Sequence, residues 1–358
     1  MAILFYFSIS LIAILVSCII FSNSVEWLGA RLNLSHGVTG SLLAAVGTAL
    51  PETIVPLVAI FWGLNFNNIG TLVKVLKGEV DTVNPFNQIS MGAIIGAPFM
   101  LSTIAFFLIG FSSWLYFKTG RRKSKIINVD KTILERDLTF FIISFSIAFL
   151  AIFVNHFFRV LFAIGLLAFY LLYIYFTIKE ETKSQYKGEE LEENLDPFLL
   201  SKMLPVLKPT LFLIFIQLIF SLACLIFSAH HFVEVIREIS QKLNFPAFVI
   251  SLLLTPIATE LPEKFNSWMW IRQKKDTLAV SNISGALVFQ STFPVTIGLL
   301  FTTWQFGSMI SYLTFIFCLL STGIVLFSLK KNKLTYKTFL LGGVFYLVYL
   351  YIVLTHYR

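Results

Sequence analysis

The sequence is poor in charged residues, which make up only 13% of its 358 positions. A soluble domain usually carries roughly 25%. Hydrophobic residues, in contrast, account for 57% of the chain. These proportions exclude an ordinary soluble domain, and we expect a protein embedded in a lipid bilayer.

Cysteine and histidine are also scarce, with three and five copies. Cys18, Cys224 and Cys318 each stand alone in an apolar run, which is typical of small packing residues and excludes a disulfide framework. No cluster of His and Cys offers a zinc or copper site. The chain also lacks a Walker A glycine loop, a His-Glu-x-x-His motif and the acidic spacing of an EF-hand, so we expect no cofactor.

What the sequence has in abundance is long apolar runs. About 20 such residues cross a bilayer as a helix, and the alternating pattern of an outer-membrane barrel is absent. The first run has no basic leader and no small-residue cleavage site, so we expect a retained helix and not a signal peptide. The ten runs are 2–22, 38–63, 89–117, 138–155, 157–178, 206–229, 245–271, 278–303, 306–329 and 336–355.

The net charge of +8 comes from basic residues in short clusters between the runs. Loops that follow odd-numbered runs contain 20 of the 27 Lys and Arg residues, and the opposite side has 6. This bias indicates membrane topology rather than nucleic-acid binding, and it predicts cytoplasmic basic loops with both termini outside. Chain size and the lack of targeting features favour the bacterial inner membrane.

A short motif occurs twice in the chain. Gly47-Thr48-Ala49-Leu50-Pro51-Glu52 lies in the second run, and Ala258-Thr259-Glu260-Leu261-Pro262-Glu263 lies in the seventh, 211 positions later. Because the copies are five runs apart, they enter the membrane from opposite sides. We therefore expect an all-α membrane protein with ten transmembrane helices in two inverted five-helix repeats, an arrangement that puts a substrate site near the midplane.

This duplication divides the chain into three parts. Residues 1–178 form a first half with one repeat in the second and third helices. Residues 179–208 form a charged cytoplasmic loop, for which we expect a solvated linker with some helix. Residues 209–358 form a second half with the other repeat in the seventh and eighth helices.

The duplicated motifs bring oxygen ligands into the apolar runs. Each proline removes a backbone donor and frees a carbonyl one turn earlier. Glu52 and Glu263, the freed carbonyls and the threonine hydroxyls make an all-oxygen set that suits a hard cation such as Ca²⁺. A single Pro-Glu could be only a kink with a capping carboxylate, but two carboxylates deep in opposed spans favour a functional site.

The helix after each motif is also related to its counterpart. Gly96 aligns with Gly285, where small residues permit close helix approach, and Leu101 aligns with Gln290. With both motifs, the chain resembles the cation/calcium exchanger superfamily, whose two repeats carry Gly-Thr-Ser-x-Pro-Glu followed by a helix with Gly-Asn-x-x-Gly-Ser-Asn-x-x-Asn/Asp. The resemblance covers nearly the whole chain.

This resemblance implies that Glu52, Glu263 and the carbonyls of Thr48 and Thr259 ligate Ca²⁺. The family serine is replaced by Ala49 in one repeat and by Glu260 in the other. The position of the family's distal Asn or Asp is occupied by Leu101 in the first repeat and by Gln290 in the second. Asn282 of the second repeat matches the first asparagine of the family motif, whereas Ala93 stands at that position in the first repeat. In the family the changed positions help bind Na⁺, so sodium coupling stays open.

Glu260 is the least expected residue of the motif. Three carboxylates close together in a low-dielectric site cannot all stay ionised cheaply. Lys264, four residues later, is placed to pair with Glu260 unless Pro262 spoils the geometry. Alternatively, Glu260 takes up a proton when no cation is bound, which would make H⁺ the counter-ion, or it faces a water-filled vestibule.

Together these features predict a secondary antiporter, not an enzyme, that moves Ca²⁺ or another divalent cation in exchange for Na⁺ or H⁺. Its expected partners are the cation and the bilayer, with no nucleic acid, and its oligomeric state stays open. A transport-incompetent sensor or structural relative is the alternative, and a membrane-embedded enzyme is less favoured. The candidate cation ligands are Glu52, Glu263, Thr48, Thr259, Glu260, Gln290 and Asn282.

Overall fold

A computed structural model of the chain describes residues 2–31, 44–63, 84–183, 197–203 and 209–357. This part of the chain is helical, with one isolated bridge between Ile126 and Thr335 as its only strand-like pairing. The helices are α1 (Ala2–Arg31), α2 (Ala44–Gly63), α3 (Pro85–Met100), α4 (Phe106–Lys118), α5 (Lys131–Leu150), α6 (His156–Lys183), α7 (Leu199–Met203), α8 (Leu211–Leu243), α9 (Ala247–Thr259), α10 (Leu261–Arg272), α11 (Asp276–Phe301), α12 (Met309–Lys330) and α13 (Tyr336–His356).

Every predicted apolar run overlaps one of these helices or a joined pair. In the described part, eight helical segments are long and apolar enough to cross a membrane. The second and seventh runs give only the shorter apolar helices Glu52–Gly63 and Ala247–Ile257. The protein is therefore a multi-pass membrane protein. The whole of α2, Ala44–Gly63, has 20 residues, which is long enough to cross a bilayer.

Several helices begin or end away from the predicted limits of the runs. The sixth run was predicted to end at residue 229, but α8 continues to Leu243 and stops where Asn244 adopts a left-handed φ of 53°. Polar residues such as His230 and Glu234 ended the apolar pattern without ending the helix. The α5 helix begins at Lys131 instead of residue 138, because Asp130 caps it by accepting from the backbone amides of Thr132 and Ile133 at 2.9 and 3.2 Å.

The two proline motifs behave differently. The seventh run breaks at Glu260, where α9 ends and α10 begins, as the proline pattern predicted. The second run shows no such break, since α2 continues through Pro51. A one-turn π-helix, Leu101–Ala105, joins α3 to α4 instead. The Ser102 carbonyl in that turn accepts from the Ser321 hydroxyl at 2.5 Å.

Packing follows the same scheme in both halves of the chain. The α1 helix packs on α8, and each motif helix packs on the helix after the other motif: α2 on α11, and α9 on α3. Likewise α4 packs on α13, and α6 packs on α11. Large apolar side chains such as Phe157, Leu172 and Phe227 remain exposed on α6 and α8, as expected of surfaces that contact lipid.

Loops that were predicted to share the basic side do contact one another. The buried Arg122 guanidinium pairs with both carboxylate oxygens of Asp276, which also accepts from the Asn128 backbone amide at 2.9 Å. The Ile127 backbone amide donates to the Leu334 carbonyl at 3.1 Å. Three loops, at 118–131, 272–276 and 330–336, therefore form one end of the molecule, which we call the basic face.

The described residues of loops that follow even-numbered runs contact one another at the other end of the molecule. Arg159 is buried and donates to the carbonyls of Val154, at 3.1 Å, and Thr303. The Asn87 side-chain amide donates to the Thr303 hydroxyl at 3.1 Å, and Phe245 packs against Tyr357 near the C-terminus. In the described part of the chain, loops of the two parities thus form two separate groups of contacts.

Part of the predicted linker, residues 197–203, contacts the neighbouring helices. Its described end carries Phe198, which is 2% exposed and packs edge-on against Trp27 of α1. The Leu199 backbone amide donates to the Asn23 side-chain oxygen at 3.1 Å, and the Leu200 amide donates to that of Gln217 at 3.0 Å. This end is therefore docked between α1 and α8 and is not a wholly solvated loop; residues 184–196 and 204–208 lie outside the described residues.

Candidate functional site

Glu52 is the central residue of the candidate site. It lies in the middle of α2, is 3% exposed, and neither carboxylate oxygen accepts a hydrogen bond from the residues that the structure describes. It is within range of electrostatic interaction with Glu263, Glu260 and Lys264. Buried polar groups almost always have partners, and a buried carboxylate without one is costly. Glu52 is therefore placed to accept a cation.

The break between α9 and α10 supplies the other acidic side chains. Glu263, 3% exposed, lies in the first turn of α10, and Glu260, which is fully buried, occupies the break itself. Pro262 lacks the amide that would continue the helix, which is why the chain breaks at this point. Glu52, Glu260 and Glu263 are thereby brought into one region, as the duplicated motif predicted.

Lys264 is the cation of this region. Its Nζ lies 2.9 Å from the Glu260 Oε2 and donates to the Pro256 carbonyl at 3.2 Å. The lysine and glutamate side chains are 7% and 0% exposed. The predicted pairing of Glu260 with Lys264 is found, and a vestibule is not, because Glu260 has no exposed surface in this conformation. Proton uptake by Glu260 stays a prediction.

Two other predicted residues lie beside the acidic groups. The Gln290 side chain of α11 is 1% exposed and interacts with Glu260, so the distal polar position of the second repeat does reach the site. Asn282 instead donates to the Glu263 carbonyl at 3.3 Å and to the Ser267 hydroxyl at 3.2 Å. It therefore braces α10 against α11 and does not point its amide at the carboxylates.

The structure describes the two motif threonines to different extents. Thr259 is buried at the last turn of α9, where its hydroxyl donates weakly to the Thr255 carbonyl at 3.4 Å. Its backbone carbonyl is next to the helix break. Thr48 lies within α2, and its side chain is outside the described part of the structure. The pairing of two threonine carbonyls therefore stays a prediction.

Glycines hold α9 close to α3. A methyl group added to Gly92 would lie 2.3 Å from the Phe248 carbonyl, and one added to Gly96 would lie 2.4 Å from that of Leu252. Pro256 cannot donate to the Leu252 carbonyl, so this oxygen is free to face α3. At Gly285 the nearest described atom is the Tyr173 hydroxyl at 3.7 Å. Ser41, the counterpart of Leu252, lies outside the described residues, so a close approach at Gly285 stays a prediction.

Asp137 shows how a buried acid looks when it has a structural role. It was not among the predicted site residues, because it falls just before the start assigned to the fourth run. Its carboxylate accepts from Ser284 at 2.6 Å and Tyr173 at 3.1 Å, and it pairs with Arg136 at 2.9 Å. These contacts tie α5 to α6 and α11. The Asp137 carboxylate has hydrogen-bond partners, whereas Glu52 has none among the residues that the structure describes.

Histidine, cysteine and acidic side chains do not form a ready-made metal cluster among the described residues, since no three or more of them are gathered around one point. A cation at this site would therefore need backbone carbonyls or water in addition to carboxylates. Ca²⁺ binds through such mixtures of oxygen ligands, about 6–8 in number.

Comparison with known proteins agrees with this description. The family model described as sodium/calcium exchanger protein matches residues 2–179 and 213–355. Comparison with curated protein sequences finds no match.

Solved structures of several exchangers share the fold. An H⁺/Ca²⁺ exchanger, CAX, matches with a TM-score of 0.69 at 18% identity, over 99% of this chain and 85% of that one. YfkE matches with a TM-score of 0.66 at 12% identity, covering 97% and 91% of the two chains. The sodium-calcium exchanger NCX_Mj, soaked with Na⁺ and without Ca²⁺, matches with a TM-score of 0.55 at 20% identity, covering 97% of both chains. With the family model matching both halves of the sequence, we conclude that the chain belongs to the sodium/calcium exchanger protein family.

Proposed function

We propose that this protein is a secondary antiporter that moves Ca²⁺ or another divalent cation across the membrane in exchange for Na⁺ or H⁺. The observation that carries the proposal is Glu52, a buried carboxylate with no hydrogen-bond partner among the described residues. A group of this kind inside a membrane protein is a functional site by default. Family membership and the fold shared with an H⁺/Ca²⁺ exchanger and a sodium-calcium exchanger support the same function.

The cation would be held between the two duplicated motifs. Glu52 and Glu263 supply carboxylates from α2 and α10, and the carbonyls of Thr48 and Thr259 supply backbone oxygens. Gln290 completes the set from α11, and Asn282 keeps Glu263 in place through its backbone. Because these ligands come from both halves of the chain, a movement of one half against the other would open the site to each side in turn.

We further propose the ten-helix arrangement of two inverted repeats, with residues 1–178 and 209–358 as halves and 179–208 as the linker. The support is the packing scheme that repeats when the halves are exchanged, with α2 on α11 matching α9 on α3. The basic face would lie in the cytoplasm, with both termini outside, in a bacterial inner membrane. The chain would act by transport and not as an enzyme.

The test is Ca²⁺ flux in proteoliposomes that contain the purified full-length protein. Vesicles with a trapped Ca²⁺ indicator are given a Na⁺ gradient or a pH gradient in separate experiments. We expect uptake driven by one of the two gradients, and loss of uptake in Glu52→Gln and Glu263→Gln, because each removes a charged ligand. Glu135→Gln is the matched control, since Glu135 is exposed and pairs with Lys330 at the basic face.

Two outcomes would contradict the proposal. Flux like that of the wild type in either site variant would show that the motif glutamates do not hold the transported ion. Absence of any gradient-driven flux, in protein that still binds Ca²⁺ and is folded, would favour a sensor or structural relative.

A further inference from the structure

The Glu260–Lys264 pair is an unusual feature of the candidate site. The ammonium nitrogen contacts a carboxylate oxygen at 2.9 Å and the Pro256 carbonyl at 3.2 Å. A carboxylate and a backbone carbonyl beside a helix break are the kind of ligands that hold a metal cation in a membrane site. The lysine nitrogen is therefore coordinated as a bound cation would be, although it is tethered to α10.

The pair belongs to only one of the two repeats. At the 211-residue offset, Glu260 corresponds to Ala49 and Lys264 corresponds to Thr53. The second repeat thus carries one negative and one positive charge that the first repeat lacks. Because these charges are opposite, the pair leaves the formal charge of Glu52 and Glu263 together unchanged.

That total charge matches the proposed substrate. With a cation bound that keeps them ionised, Glu52, Glu260 and Glu263 carry three formal negative charges, and Lys264 carries one positive charge. Glu52 is within electrostatic range of the other three residues. The sum is −2, which a single divalent cation neutralises. Without the lysine the sum would be −3, and the site would attract a monovalent cation beside the divalent one.

We propose that Lys264 is a resident cation that sets the ion specificity of the site. It occupies the position next to Glu260 and Pro256 that a monovalent ion would otherwise take, so that one divalent cation is bound alone by Glu52 and Glu263. This inference rests on the proposed function, and it assigns to Lys264 a role in specificity. If the ion pair were only structural, loss of the lysine would not give a gain in Ca²⁺ affinity that Na⁺ or K⁺ removes.

The experiment measures Ca²⁺ binding to purified full-length protein by titration calorimetry, in choline, Na⁺ or K⁺ at equal ionic strength. The variants are Lys264→Met and the double variant Glu260→Ala with Lys264→Thr, which gives the second repeat the residues of the first. Lys274→Met, at an exposed position of the basic face, is the matched control for loss of one lysine charge. Gel filtration checks that each variant is folded.

In choline we expect Lys264→Met to bind Ca²⁺ at least about tenfold more tightly than the wild type, because close charges couple strongly in such a site. Na⁺ or K⁺ should remove this gain by filling the vacated position. The double variant, whose charge sum is again −2, should bind within about threefold of the wild type. Lys274→Met should show no change.

The proposal is overturned if folded Lys264→Met binds Ca²⁺ with unchanged or weaker affinity in choline, or if its gain is indifferent to Na⁺ and K⁺. If Lys264→Met does not fold, the double variant decides, and loss of its Ca²⁺ binding overturns the proposal. The variant Glu52→Gln tests the proposed function separately from the role of Lys264. Full Ca²⁺ binding by that variant would refute the proposed function itself, whatever the lysine variants show.

Discussion

The contact between α3 and α9 offers the sharpest structural prediction. Gly96 lies against the Leu252 carbonyl, the oxygen to which Pro256 cannot donate. In Gly96→Ala the new methyl carbon would start 2.4 Å from that oxygen and would have to move by 0.6 Å to reach even 3.0 Å. The oxygen belongs to backbone, so α9 must shift as a helix and not by a side-chain rotation.

A rigid overpacked contact of this kind costs about 1–3 kcal/mol. In a large domain each kcal/mol lowers the thermal midpoint by about 2–4 °C. We therefore expect Gly96→Ala to lower the melting temperature of the detergent-solubilised protein by several degrees. Flux should also fall, because α9 ends at Thr259 and Glu260, and a displaced helix carries these ligands with it.

The matched control is Gly165→Ala in α6. Gly165 is helical and exposed, and an added methyl group would meet no described atom within 4 Å. This substitution should leave the melting temperature unchanged or raise it, since alanine favours helix over glycine. Equal stability of the two variants would refute the close-contact argument, and loss of stability without loss of flux would refute the link to the site.

Two further predictions concern the faces of the molecule. In a background without Cys18, Cys224 and Cys318, a cysteine at exposed position Lys123 should resist membrane-impermeant thiol reagents in intact cells, whereas one at His356 should react; the reverse pattern would contradict the charge-based orientation. Asp276→Asn should destabilise the protein by about 3–5 kcal/mol in thermal unfolding, because it leaves the buried Arg122 without its counter-charge, and a neutral result would show that the pair is dispensable.

The helical architecture could be predicted from the sequence because a bilayer imposes simple rules on length and polarity. Every apolar run overlaps a described helix or a joined pair of helices, whereas the orientation that the basic residues indicate stays a prediction. The predicted ends of the helices were wrong where a helix continues beyond its apolar run, as α8 does to Leu243. Hydropathy measures the environment of side chains, whereas the end of a helix is set by local capping, here the left-handed Asn244.

The acidic residues that meet at the candidate site could be identified from the sequence, but the details of their surroundings could not, and their role as cation ligands stays a prediction. The duplicated motif identified Glu52, Glu260 and Glu263, and the spacing of Lys264 suggested its partner. The motif did not reveal that α2 stays continuous through Pro51 while the equivalent segment breaks at Glu260. A proline weakens a helix at either place, and neighbouring helices decide whether the chain bends or breaks.

The two motifs contribute to the candidate site in different ways. In the second repeat the broken helix exposes a carbonyl and carries a charged pair, and α3 contacts α9 through two glycines. In the first repeat the helix is continuous and ends its motif with an acid that has no hydrogen-bond partner among the described residues. An exactly symmetric site would hold a cation by equivalent ligands from both halves. Here the second half would supply the Glu260–Lys264 pair and the charge of Glu263, and Glu52 from the first half would supply the other charge of the proposed site. We therefore expect the occupancy of the site to depend on both Glu52 and Glu263, and less on the paired Glu260.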